Sequence, residues 1–304
     1  MAGYSSLDDF ISSTTVDGKF VRTDWNKNAL PTTAQTAGMW HDLSTGPGNP
    51  GADSAYGSGT SLAFQALDDT STTSPGIPHG GNVSAETKHI INASAFSAAA
   101  TSMPAVFMLV DRLGFYRINS ITTTGDQALD NTVVFPTGRH TNGQGLRAYV
   151  VASVGAATTA MGAGTPNIRI TYTNQAGTAG QLTPTVLPAG LTAAPKGTIV
   201  YSGTGAGKYG PFLPLAAGDS GIRSVQQFNL SATYTSGQLN LVICRPLLTL
   251  PMTTIGVAAE RDLLNQVPSL PRVYDGANLT WLMYAGAATP VNSAYYGHLD
   301  FGWS

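Results

Sequence analysis

Apolar residues along this chain recur mainly at every second position or in short unbroken runs, the spacing of extended strands. Leu62-Ala63-Phe64-Gln65-Ala66-Leu67, Ala105-Val106-Phe107-Met108-Leu109-Val110 and Leu146-Arg147-Ala148-Tyr149-Val150-Val151 lie between turn formers and predict strands. The clearest alternation is Asn167-Ile168-Arg169-Ile170-Thr171-Tyr172-Thr173, closed by the turn Asn174-Gln175-Ala176-Gly177. Residues 225–234 and 238–244 predict a hairpin around Ser236-Gly237, and 277–284 and 295–303 supply two late strands.

Helical spacing is confined to two short stretches. Near the start, Ser5 or Ser6 can cap, Asp8 and Asp9 suit the positive end of a helix, and Leu7, Phe10 and Ile11 share a face, so a helix is predicted to end near Thr14. Residues 257–266 predict a second, with Glu260, Arg261 and Asp262 outward and Leu263 and Leu264 inward. Between helix and strands, residues 19–25 read as an extended or turning connector with aromatic anchors. Residues 45–59 and 68–81, crowded with Gly, Pro, Asn and Ser, predict long surface loops available to partners. Long helices alternating with strands are missing, which disfavours a parallel α/β sheet. The expected class is mainly β: an antiparallel, jelly-roll-like β-sandwich with long loops and a short N-terminal helix. Residues 1–60 are expected to form helix, arm and loop, and 61–304 the sandwich, with a possible subdivision near 140.

Charge sharpens this picture. Only 11% of the 304 residues are charged, against roughly 25% in soluble proteins, and the formal net charge is −2. Surfaces built from Thr, Ser, Gly, Asn and Ala pack against other subunits without desolvating many charges, so a homo-oligomer is expected, a trimer favoured. No block of one sign offers a footprint for nucleic acid, and no run of about eighteen apolar residues predicts a membrane span. The acidic start lacks the pattern of an export signal, so synthesis in a cytoplasm is expected. Cys244, alone in an apolar run, is expected to be a buried small hydrophobe.

Candidate chemistry fails its context tests. The stretch from Tyr201 to Tyr209 falls short of a phosphate-binding loop, because Ser202 stands where the pattern needs Gly and Tyr209 where it needs Ser or Thr. His41, His79, His89, His140 and His298 are scattered without metal spacing. Gly57-Ser58-Gly59 and Gly218-Asp219-Ser220-Gly221 read as turns rather than nucleophile elbows. Asp8-Asp9 and Asp68-Asp69 suit a helix start and a loop better than acid–base work. Trp25, Trp40, Trp281 and Trp303 fit core or interface better than a sugar platform, since no acidic or amide cluster stands beside them in sequence. No catalytic residue, cofactor or metal is predicted. The segment 209–215, Tyr-Gly-Pro-Phe-Leu-Pro-Leu, is expected to deliver an apolar plug into a core or a subunit joint.

Several segments together carry a family resemblance: Tyr4-Ser5-Ser6-Leu7 through Trp25-Asn26-Lys27, His79-Gly80-Gly81-Asn82-Val83-Ser84 with Thr87-Lys88-His89, residues 171–178, residues 209–215, and the run from Leu263 to Arg272. In these the chain resembles a family of tailed-bacteriophage virion structural proteins. The resemblance spreads over nearly the whole chain and transfers no functional residue. It implies a location in the virion and leaves the exact position open; the expected function is to bind other virion proteins, the major capsid protein first among them, and to decorate or cement the capsid. A tail or baseplate position, or recognition of a carbohydrate receptor, are the alternatives. The candidate interface residues are Leu7, Phe10, Ile11, Phe20 and Trp25.

Overall fold

A computed structural model of the chain describes residues 4–29, 34–35, 37–56, 62–97, 103–118, 122–136, 138–153, 164–186, 194–200, 210–265 and 270–304. A helix α1 (Leu7–Ile11) runs into a π-helical turn at Ser12–Val16. The strands that follow are β1 (Phe20–Asn28), β2 (Met39–Asp42), β3 (Gly48–Asn49), β4 (Phe64–Ala66), β5 (Lys88–Ser97), β6 (Ala105–Ile118), β7 (Gly125–Ala128) and β8 (Arg147–Ala152). After them come β9 (Ile168–Asn174), β10 (Gln181–Leu182), β11 (Ile222–Leu230), β12 (Leu239–Met252), β13 (Ala259–Asp262), β14 (Arg272–Val273), β15 (Leu279–Ala285) and β16 (Ala294–Trp303). The class is mainly β, as the alternation predicts, and every ladder between these strands is antiparallel.

Among the described residues, three sheets form two cores. The first sheet orders β13-β5-β16-β1-β3, with β14 also on β5; the central sheet orders β2-β15-β6-β12-β8, with β4 also on β6; the third orders β10-β9-β11-β7. One core gathers Trp25, Ile90, Tyr295 and Phe301 from the first sheet against Phe107, Leu109, Leu250 and Trp281 of the central one. The other gathers Ile170, Tyr172, Val225 and Phe228 from the third sheet against Phe115, Tyr149, Leu241 and Ile243 of the central one. The two 14-residue strands β6 and β12 therefore serve both cores, one half each. Their mutual ladder carries irregularities between Ile243 and Cys244 and between Pro246 and Leu248, where an inserted residue resets side-chain alternation at the handover. Pro246 and Pro251 are tolerated in so long a strand because β8 flanks β12 only over Leu239–Cys244.

Four local expectations are corrected. Residues 19–25 are no connector: β1 pairs along its whole length with β16, and Trp25 enters the core. The extended conformation is one of the two the sequence allowed, and burial of alternate side chains against distant partners makes the segment a full strand. Of the stretch 257–266 expected as a second helix, residues 257–265 are not helical, and Gln266 lies outside the described residues. Ala259–Asp262 pairs with β5, and the Asp262 carboxylate then accepts the N–H groups of Leu264 and Asn265, closing a turn where a helix would have continued. The strands expected as a hairpin around Ser236-Gly237 both exist, but β11 joins the third sheet and β12 the central one. Finally, the first helix is shorter than expected and does not stop at Thr14, because the Thr14 and Thr15 hydroxyls bond back to the Phe10 and Ile11 carbonyls and carry the wider turn to Val16.

The stretches expected as surface loops are also more deeply seated than composition suggests: Asp53, Tyr56, Ser74, Ile77 and His79 are all buried. The apolar plug, by contrast, behaves as expected toward the core. Leu213 is buried in the second core, with its N–H bonded to the Ala148 carbonyl at 2.8 Å. The loop 201–209 and the turn at Gly57-Ser58-Gly59 lie outside the described residues.

Candidate functional site

At the handover between the cores, β6 places two charges in the middle of an apolar run, Asp111 and Arg112. Both are buried, and each finds its partner in an adjoining loop. Arg112 Nη1 donates to Asp53 Oδ2 at 2.8 Å, and its Nε donates to Asn278 Oδ1 at 2.9 Å. Asp53 also accepts the Ser74 hydroxyl at 2.6 Å and the N–H groups of Ala55 and Tyr56. Arg139 Nη1 donates to Asp111 Oδ1 at 2.6 Å. Beside them Asp42 accepts the Tyr56 and Tyr149 hydroxyls at 3.1 and 2.8 Å.

The electrostatics of this waist follow from burial. Burial opposes the charge on Arg112, and Tyr56, Asp53 and Asp42 around it more than offset that, so the guanidinium is held above its ordinary range. Burial raises Tyr56 and Tyr149 well above the usual phenol range, with Asp42 adding to it. Lys27 sits nearby with its ammonium bonded to the Gly46 and Gly51 carbonyls, and burial, reinforced by Arg112, lowers it to about 8. Cys244 is buried, and desolvation pushes its thiol well up, the opposite of a reactive cysteine. The arrangement ties loop residues 42–56, 68–74 and 139 to the central sheet. It is a scaffold; none of the groups at its centre, Arg112, Asp53, Asp42, Tyr56 or Tyr149, reaches water to meet a substrate.

The histidines do not converge. His79 Nδ1 meets the buried Lys88 ammonium at 3.1 Å, His89 bonds the Leu270 carbonyl, His140 stacks edge-on against Tyr274, and His298 pairs with Ser94. Among the described residues no three His, Cys, Asp or Glu side chains stand close enough to hold a metal ion.

The five interface candidates divide into two groups. Ser6 caps α1 by accepting the Asp9 N–H at 3.1 Å, and Asp9 in turn accepts the Ser5 N–H at 2.8 Å, which holds the Asp9 carboxyl below its ordinary value. Phe10 turns toward the body: Tyr4 packs edge-on against it with ring centroids 5.0 Å apart, and both line a hollow of about 270 Å³ with Leu263, Leu264 and Leu270. Leu7 lines the same hollow yet remains 62% exposed, Ile11 is 47% exposed, and Val16 and Phe20 beyond them are 78% and 41% exposed. Trp25 belongs elsewhere. Its ring lies 5.3 Å from that of Trp281 in the first core and is only 2% exposed, so it is taken up by the chain's own packing. Val16 is an exposed apolar residue of this segment that periodicity did not single out, because the π-helical turn that presents it leaves no mark in the spacing.

Comparison with known proteins adds little. No family model matches the chain, and no curated protein matches it. Among solved structures, a mutant VP2 protein of infectious bursal disease virus in derived T=1 particles aligns over 96% of this chain and 82% of its own, at 8% identity and a TM-score of 0.17. That similarity carries no argument about fold or function.

Proposed function

We propose that the chain is a non-enzymatic structural protein of a bacteriophage particle, binding other particle proteins through its N-terminal face and decorating or cementing the capsid. A tail or baseplate position is the alternative placement within the same reading. The observation that carries it is the exposure of Leu7, Ile11, Val16 and Phe20 on one continuous segment of a chain whose charge content is low throughout. A five-residue helix has no stability of its own in water, so its apolar side chains gain only by laying against a surface. Full burial of a large apolar side chain contributes roughly 1.5–3 kcal/mol before ordering costs, enough for a few such residues to decide an attachment. The resemblance of residues 4–27, 79–89, 171–178, 209–215 and 263–272 to tailed-phage virion proteins supplies the kind of partner.

The test is co-sedimentation of the purified chain with undecorated phage capsids, followed by its localisation in a particle reconstruction. Saturable binding that is lost on changing Leu7 and Ile11 to Ser is the expected result. Absence of density for the chain in any particle, with no binding to capsid or tail preparations, overturns the reading.

A further inference from the structure

On the first sheet, Trp25, Tyr295 and Leu299 point into the core, so the residues alternating with them face outward. Asp24 stands opposite His298 and Asn26 opposite Tyr296 across the β1–β16 ladder. These four, with Asn49 and Glu260 from the neighbouring strands, line a groove of about 510 Å³. That size falls within the roughly 300–1,000 Å³ of small-ligand sites.

The groove is chemically specific. The Tyr296 side chain is 46% exposed, leaving a ring available for stacking. Two acceptors are held in place: Asn92 Nδ2 donates to Glu260 Oε1 at 2.7 Å, and the Asn49 N–H donates to Asn26 Oδ1 at 2.6 Å. The Ser94 hydroxyl accepts the His298 backbone N–H at 3.1 Å and lies 2.8 Å from His298 Nδ1. His298 Nε2 is buried and has no hydrogen-bond partner among the described residues.

Three ligand classes are separated by these features. No Lys or Arg lines the groove among the described residues, while Asp24 and Glu260 do, so an anionic ligand is repelled. The site lies on the face of a sheet whose backbone groups are engaged between strands, so a peptide cannot enter as an added strand. A flat stacking ring beside fixed carboxylate and amide groups matches a ligand with one apolar face and a rim of hydroxyls. We propose that this groove binds a neutral oligosaccharide. Tyr296 stacks on one sugar ring, and Asp24 and Glu260 accept its hydroxyl protons.

This site is separate from the N-terminal face, and its test uses the isolated full chain, so neither result decides the other. The probe is an array of immobilised neutral oligosaccharides of glucose, galactose, mannose, rhamnose and N-acetylglucosamine, with sialylated and sulfated counterparts and a poly-lysine peptide alongside. Saturable binding to a neutral glycan is expected, reduced about tenfold or more by Tyr296→Ala, the loss of one stacking contact with its buried area. Asp24→Asn, nearly isosteric, is expected to weaken the same binding with an unchanged melting temperature, and it decides the matter should Tyr296→Ala fail to fold. Folded wild-type protein that binds no neutral glycan overturns the proposal, as does preference for the anionic glycans or for poly-lysine, or neutral-glycan binding that both variants retain.

Discussion

At the waist of the molecule an arginine, Arg112, is 0% exposed, whereas on the N-terminal segment a valine, Val16, is 78% exposed. Each inverts the usual placement, and the reasons differ. The waist encloses charge that is paired from within: Arg112 with Asp53 and Arg139 with Asp111, each carboxylate further bonded to backbone N–H groups. Such pairs contribute little net stability relative to an apolar core, but they punish any arrangement that leaves one partner alone. They therefore fix where the long loops sit on the central sheet. The N-terminal segment has no such internal completion: Phe10 finds Tyr4 and the Leu263 region, while Leu7, which lines the same hollow, and Ile11 and Val16 stay largely exposed. One region spends polar groups on the chain's own fold; the other leaves apolar groups for something outside it.

The comparison breaks most readily at the waist. Arg112→Met strands Asp53 in an apolar interior and is expected to cost about 3–5 kcal/mol, read as a lower urea midpoint with an unchanged slope. A loss below about 1 kcal/mol would mean that the loops are held by packing alone. Trp25→Ala distinguishes core from interface among the five sequence candidates. It removes a buried ring beside Trp281 and Phe107 and is expected to lower stability by about 3–5 kcal/mol.

A smaller effect comes from Lys27. Its folded value of about 8 lies below the ordinary 10.5, so the folded state gives up this proton first. Below about pH 8 the site holds a charge that burial opposes, and its contribution to stability rises as pH climbs from about 8 toward 10.5. Lys27→Met should flatten that rise in denaturation midpoints measured between neutral pH and about pH 10, relative to wild type. The smallest effect on stability is expected at the N-terminal face. Leu7→Ser and Ile11→Ser should change unfolding free energy by about 0.5 kcal/mol or less while reducing capsid co-sedimentation; a large drop in melting temperature with normal binding would assign these residues to the fold.

Much of the architecture is legible along the chain, and the failures have a common cause. Ile168-Arg169-Ile170-Thr171-Tyr172 alternates visibly and becomes β9 with the burial pattern its spacing predicts, because the period-two signal is local. The Ser6 cap is local as well. The strand β5 escapes notice since Asn92-Ala93-Ser94-Ala95 is small and polar, and only pairing with β16 and β13 makes it extended. The groove is hidden for a related reason: Asp24 and His298 lie near opposite ends of the chain and meet through ladder register.

The sequence by itself determined the mainly β class, the antiparallel strands, the capped N-terminal helix and the scarcity of charge, since each follows from residue type and near-neighbour spacing. Tertiary structure alone decided which strands share a sheet, that β6 and β12 serve two cores, that Trp25 turns inward while Leu7 stays out, and that Asp111 and Arg112 are paired rather than solvated. Those outcomes depend on contacts between residues far apart in the chain, where burial and partner geometry outweigh local propensity, and neither is encoded in any short stretch of sequence.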